Sequence, residues 1–211
     1  TSISAYKLAT MIKVSDELLH DSVFDVASYI AREFARRIGA AEEEAFFTGN
    51  GTGKPTGLLH STGGAEVGVT TKSATALTFD EVMDLFYSLR APYRRSAVFL
   101  TNDATMKALR QLKNGNGDYI WQPSVTAGTP DTILNRPVYT STFMPTITAG
   151  AKAMGFGDMN YYWIADREGR KFQRLNELYA PTGQVGFLAS QRVDGKLILP
   201  EAVKVLQMKA A

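Results

Sequence analysis

From Val23 onward the apolar residues Val23, Val26, Ala27, Ile30, Phe34, Ile38, Ala41 and Ala45 recur at three- and four-residue intervals, which places them on one stripe of a helix. Arg32, Glu33, Arg36, Arg37, Glu43 and Glu44 fall mostly off that stripe. Ser22 is placed to cap the helix, and Asp25 brings a carboxylate to the positive end of its dipole. The exit is Thr48-Gly-Asn-Gly-Thr-Gly-Lys-Pro-Thr-Gly57. Gly49, Gly51, Gly53 and Gly57 allow a tight turn, with positive φ expected at the first three, and Pro55 cannot continue a helix. The pattern predicts a helix over about residues 22–48, a rod of about 40 Å at 1.5 Å per residue, hence an elongated subunit.

Elsewhere the period changes. Residues 1–14 read as a strand, Ser15-Asp-Glu-Leu-Leu19 as a helical turn, and Glu66–Thr70 as a short strand. Thr78-Phe-Asp-Glu81 is a capping box opening a helix through Val82, Leu85 and Leu89. Ala97–Thr101 reads as a buried strand, and Asn102 caps a third helix that ends at Asn114–Gly117. From Asp118 the helical period is lost and turn residues come every eight to twelve positions. Strands are predicted over 136–140, 151–156, 161–164, 171–175 and 185–189, with a final pair in 196–208. Hairpin turns are predicted at Glu168-Gly169 and Asp194-Gly195. The class is α+β.

Composition narrows the function classes. The chain has 211 residues, 45% hydrophobic, with 23 basic and 21 acidic side chains for a net charge of +2. So small an excess gives no overall electrostatic footprint for nucleic acid or an acidic membrane. Cysteine is absent, which removes disulfides and thiol chemistry. No apolar run reaches the ~20 residues of a membrane-spanning helix. No cofactor is implied.

Candidate chemistry is sparse. Gly53-Lys54 invites a phosphate-loop reading, but Thr48 stands where the first glycine is needed and Pro55 where Ser or Thr is needed. His20 with Asp16, Glu17 and Asp21 could hold a metal or could be a solvated helix start. Glu42–Glu44 cannot converge on one substrate, because consecutive helical positions point about 100° apart. Arg94 and Arg95 beside Tyr93, and Arg167, Arg170, Lys171 and Arg174 around a turn, could contact nucleic acid, neighbouring copies or water. Arg36, Arg37 and Glu43 join Arg94, Arg95, Arg167 and Arg170 as candidate contacts between copies. Tyr119, Trp121, Tyr161, Tyr162 and Trp163 read as core.

Several segments resemble one family in order along the chain. Lys13–Leu19 with Asp21-Ser22, Ala40–Leu58, Ala91–Phe99 followed by Asn102–Thr105, Asn116–Pro123, Gly155–Asp158 and Arg192–Lys196 look like the major capsid proteins of tailed double-stranded DNA bacteriophages and prophages. The resemblance implies a phage capsid fold: a peripheral region (1–77 and 185–211) with the spine helix and a long sheet, and an axial α/β region (78–184). It implies a structural subunit, not an enzyme, that self-assembles into pentamers and hexamers of an icosahedral shell. Its implied partners are copies of itself, portal, scaffold and protease, and packaged DNA without sequence specificity, with no membrane. Its implied location is the virion capsid, assembled in the host bacterial cytoplasm. A nanocompartment shell of the encapsulin type is the alternative, and a small soluble enzyme or nucleotide-binding protein a third. Family members carry an N-terminal arm and extended loop ahead of the segment matching Thr1. Their absence from this sequence predicts that it does not close complete shells alone, and no cross-linking role is transferred.

Overall fold

The computed structural model describes residues 2–113, 116–117 and 131–211. In chain order its elements are β1 (Tyr6–Ser15), α1 (Asp16–Asp21), α2 (Val26–Thr48), β2 (Glu66–Thr70), α3 (Phe79–Ser88), α4 (Ala91–Arg94), β3 (Val98–Thr101) and α5 (Asp103–Arg110). There follow β4 (Thr132–Ile133), β5 (Arg136–Thr140), β6 (Lys152–Gly157), β7 (Tyr162–Leu175), β8 (Gln184–Leu197) and β9 (Val203–Gln207). Contacts divide the chain into two units: Thr1–Gly57 with Ile164–Lys196, and Leu58–Trp163 with Leu197–Ala211.

The first unit is a helix laid on a three-stranded sheet ordered β1-β8-β7. β1 pairs antiparallel with β8 from Tyr6↔Val193 to Ser15↔Gln184. The stripe is confirmed in its centre: Val26, Ile30, Phe34 and Ile38 are buried at four-residue intervals. They pack with Val14, Val185, Phe187 and Ala189, and the Phe172 ring bridges Phe34 (6.1 Å) and Phe187 (5.8 Å). Each side chain so buried contributes about 1.5–3 kcal/mol by removal of apolar area from water.

The start of the long helix differs from expectation. Ser22 ends α1, and Asp25 is the N-cap of α2, accepting from Ser28 N at 3.1 Å. Val23 therefore lies outside the helix and is fully exposed. The helix has 23 residues, about 35 Å long.

The second unit is built on a mixed sheet ordered β2-β9-β6-β3-β5-β4. β2 and β9 run parallel, as do β3 and β5, while β6 pairs antiparallel with both β3 and β9. Phe99 and Phe156 sit opposite each other across β3 and β6 with stacked rings 4.3 Å apart. Around them α3 contributes Val82 and Leu85, and α5 contributes Met106 and Leu109. The capping box on α3 is present, with Thr78 and Glu81 bonding each other's backbone amides. Asn102 caps α5 through Ala104 N at 2.9 Å. That helix stops at Arg110, before the expected Asn114–Gly117, of which residues 114 and 115 lie outside the described ones.

Three further expectations change. β7 runs unbroken through Glu168 and Gly169, which adopt φ of 70° and 65° inside the strand. β8 runs through Asp194-Gly195, where the Asp194 carboxylate is buried and accepts from Ser4 N (2.6 Å) and Gly195 N (2.8 Å). Trp163 is 55% exposed and so not core, Tyr161 and Tyr162 are half-buried, and Tyr119 and Trp121 lie outside the described residues. The divisions at 77/78 and 184/185 also differ from those found, because β9 lies between β2 and β6 and draws residues 58–77 and the last strand into the second unit.

Candidate functional site

The glycine exit of α2 folds back on itself. Gly49 is the C-cap, its amide donating to Ala45 O at 2.9 Å with φ of −59°, not the positive value expected. Its requirement for glycine is one of space: a Cβ there would collide with the carbonyl oxygens of Pro55 and Ala45. Gly51 (φ 74°) and Gly53 (φ 70°) do take the left-handed conformation. Gly51 N donates to the Pro55 carbonyl at 3.2 Å, and Gly51 O accepts from the Tyr6 hydroxyl at 2.9 Å. Thr52 N is taken by Asn50 Oδ1 (3.1 Å) and Thr56 N by Gly195 O (3.0 Å). The Gly51, Thr52 and Thr56 amides are thus committed to closing the turn and tying it to β8, and the Tyr6 hydroxyl ties it to β1.

The charged candidates fall into separate groups. Arg36 and Arg37 converge on Glu33, Arg36 by two bonds (2.6 and 3.0 Å) and Arg37 by one (3.0 Å). These bonds, Arg36 first, hold the half-buried Glu33 carboxyl down at about 2. Glu43 is exposed on the same helix. Arg170 reaches Glu42 (3.2 Å) and Gln191 (2.8 Å), tying β7 to α2 and β8. Arg167 instead joins Lys7, Lys171 and Arg192 around a concavity of about 180 Å³. In the second unit Arg94 lies over the Phe86 and Tyr87 rings at 5.5 and 5.2 Å, and the Arg95 carbonyl accepts from Arg136 at 2.8 Å. The candidates thus do not form one site.

Lys7 and Arg192 escaped the sequence reading. They stand directly opposite in the β1–β8 register although 185 positions apart, and only knowledge of that pairing reveals them. His20 lies 3.6 Å from Asp16 on an exposed helix, and no group of three or more metal-binding side chains occurs among the described residues. No helix is long and apolar enough to cross a membrane among them either.

Comparison with known proteins defines the class. The fold matches the capsid of an empty GTA particle with a TM-score of 0.89 and 36% identity, over 99% of this chain and 74% of that one. A 56-residue stretch, 26% of this chain, is 39% identical to the major capsid protein of Escherichia phage T5, of which it spans 12%. The holo-SrpI encapsulin complex of Synechococcus elongatus shares the fold at 16% identity, with a TM-score of 0.71 over 96% of this chain and 73% of that one. The molecule is a structural shell protein. A family model matches residues 1–208, and the chain belongs to the phage capsid family.

Proposed function

We propose that the protein is a subunit of an icosahedral phage or prophage shell, assembling as pentamers and hexamers around double-stranded DNA. The observation that carries this reading is the 36% identity to a particle capsid, sustained over 99% of the chain at a TM-score of 0.89. The encapsulin likeness, at 16%, supports the fold alone.

On this reading the first unit, with its 35 Å helix, is the peripheral region and the second unit the axial region. Portal, scaffold and protease act on it during assembly in the host cytoplasm, and the shell holds DNA by confinement. The net charge of +2 supports confinement, since a strongly basic subunit would condense on DNA before assembling.

Electron microscopy of particles from the full reading frame, with nuclease treatment before extraction of the contents, tests the proposal. Closed particles with five- and six-fold vertices protecting DNA are expected. Particles filled with one cellular enzyme and no DNA would establish the nanocompartment instead.

A further inference from the structure

Two exposed surfaces of the first unit carry opposite charge and lie at opposite ends of one strand. At the β1 start, Lys7 faces Arg192 across the ladder, an arrangement that like charges make unfavourable. Arg167 and Lys171 line the same concavity. A single carboxylate serves them: Glu168 pairs with Lys171 at 3.0 Å and Arg192 at 3.8 Å. Lys7 and Arg167 have no ion-pair partner among the described residues, so the cup keeps a positive excess.

At the other end of β1 the elbow between α1 and α2 is apolar and acidic. Val23 is fully exposed, Phe24 is 61% exposed and Tyr29 54%. The Phe24 and Tyr29 rings are already packed edge to face at 6.1 Å. Asp16, Glu17, Asp21 and Asp25 surround them in sequence, and Glu17 and Asp21 are in no ion pair with a described residue. An exposed apolar centre with a charged rim has the anatomy of a protein interface.

We propose that these are the two halves of one contact: the acidic elbow of one copy docks on the cationic cup of the next. Charge complementarity selects a second copy as occupant, and the eight-residue separation of Lys7 and Ser15 puts the halves about 27 Å apart along β1. Two different patches at two ends of one strand make a heterologous, head-to-tail contact, which closes into a ring or propagates. The proposal rests on the shell reading and names one of the contacts that such a shell requires.

Sedimentation velocity of the chain at rising concentration, with two charge-reversal variants, tests it. Asp16→Lys/Glu17→Lys/Asp21→Lys leaves Asp25 alone against three lysines and makes the elbow basic, and Lys7→Glu/Arg167→Glu makes the cup acidic. Each variant alone is expected to need at least tenfold more protein than wild type to associate, because its elbow repels its own cup. Mixed in equal amounts they regain wild-type association, since every elbow then finds a cup of opposite sign, and this recovery also shows both variants folded. A mixture that stays monomeric, or a wild-type chain that never associates, overturns the contact. Retention of duplex DNA that the cup variant loses, with its self-association unchanged, overturns it in favour of a nucleic-acid surface. Wild-type association and mixed-variant rescue without shells from the full reading frame would sink the shell reading and leave the contact standing.

Discussion

Gly57 lies against Gly49: its amide donates to the Gly49 carbonyl at 2.9 Å, and a Cβ on Gly57 would stand 2.5 Å from the Gly49 nitrogen. The end of α2 and the end of the loop are thus clamped at a distance only two glycines permit. Backbone, unlike a flexible side chain, cannot step aside from such an overlap. Gly57→Ala is expected to destabilise the protein by about 2–4 kcal/mol, at the severe end for a single substitution. Gly53→Ala, where nothing lies within 4 Å but φ is 70°, should cost less, about 1–2 kcal/mol. Urea melts of the two variants check the order.

Glu81 is buried, yet it remains a carboxylate. Burial pushes its carboxyl up, but bonds from Lys72 N (2.8 Å) and Thr78 N (2.9 Å) outweigh it and hold the pKa below its ordinary value. A carboxyl lowered on folding stabilises above its unfolded pKa and loses that contribution as pH falls through the folded value. Glu81→Gln is expected to lower stability at neutral pH by about 1–3 kcal/mol. It should also flatten the loss of stability below about pH 4.5, read from melts across pH.

Glu33 gives a direct titration test. Its side chain holds Arg36 and Arg37, and its carboxyl stands at about 2. Carbon-detected NMR titration of the wild type should place its midpoint there. Arg36→Gln should move it up toward its ordinary 4.5, further than Arg37→Gln does, and added salt should also move it up. A wild-type midpoint near 4.5 would show that the two arginines do not hold it in solution.

Asp194 ties the chain start to β8. Removing its carboxylate leaves the exposed Ser4 amide and the buried Gly195 amide without their acceptor. Asp194→Ala should cost about 1–3 kcal/mol. Hydrogen exchange at Ser4 and Gly195 should accelerate while that of Phe99 in β3 stays slow.

What the sequence showed plainly was local. The α2 stripe, the Thr78–Glu81 box and the Asn102 cap each depend on residues within a turn or two of one another, and periodicity and capping chemistry read them directly. What it hid depended on distant partners. Asp194-Gly195 carries a strong turn signal, but β1 pairs with that part of β8 and Ser4 uses the carboxylate, so tertiary pairing overrides the local preference. Glu168 and Gly169 take the positive φ that a turn would want, yet the strand continues. Ser22 and Asp25 are both good caps, and only the existence of α1 up to Asp21 assigns the second to α2. The charged candidates scattered for the same reason: Arg167 and Arg170 are three apart in sequence, but one lines the cup and the other bonds Glu42 and Gln191.

β9 lies between β2 and β6, and β8 lies between β1 and β7, so each sheet has one strand that comes later in the sequence than both of the strands it joins. A ribosome making this chain therefore releases outer strands long before the partners that complete them. Until residue 207 emerges, β2 and β6 have no strand to join them, and β1 waits for β8 while residues 16–183 are made. Both sheets are completed only once β8 and β9 have emerged, so the folding of each unit trails the synthesis of its earlier strands.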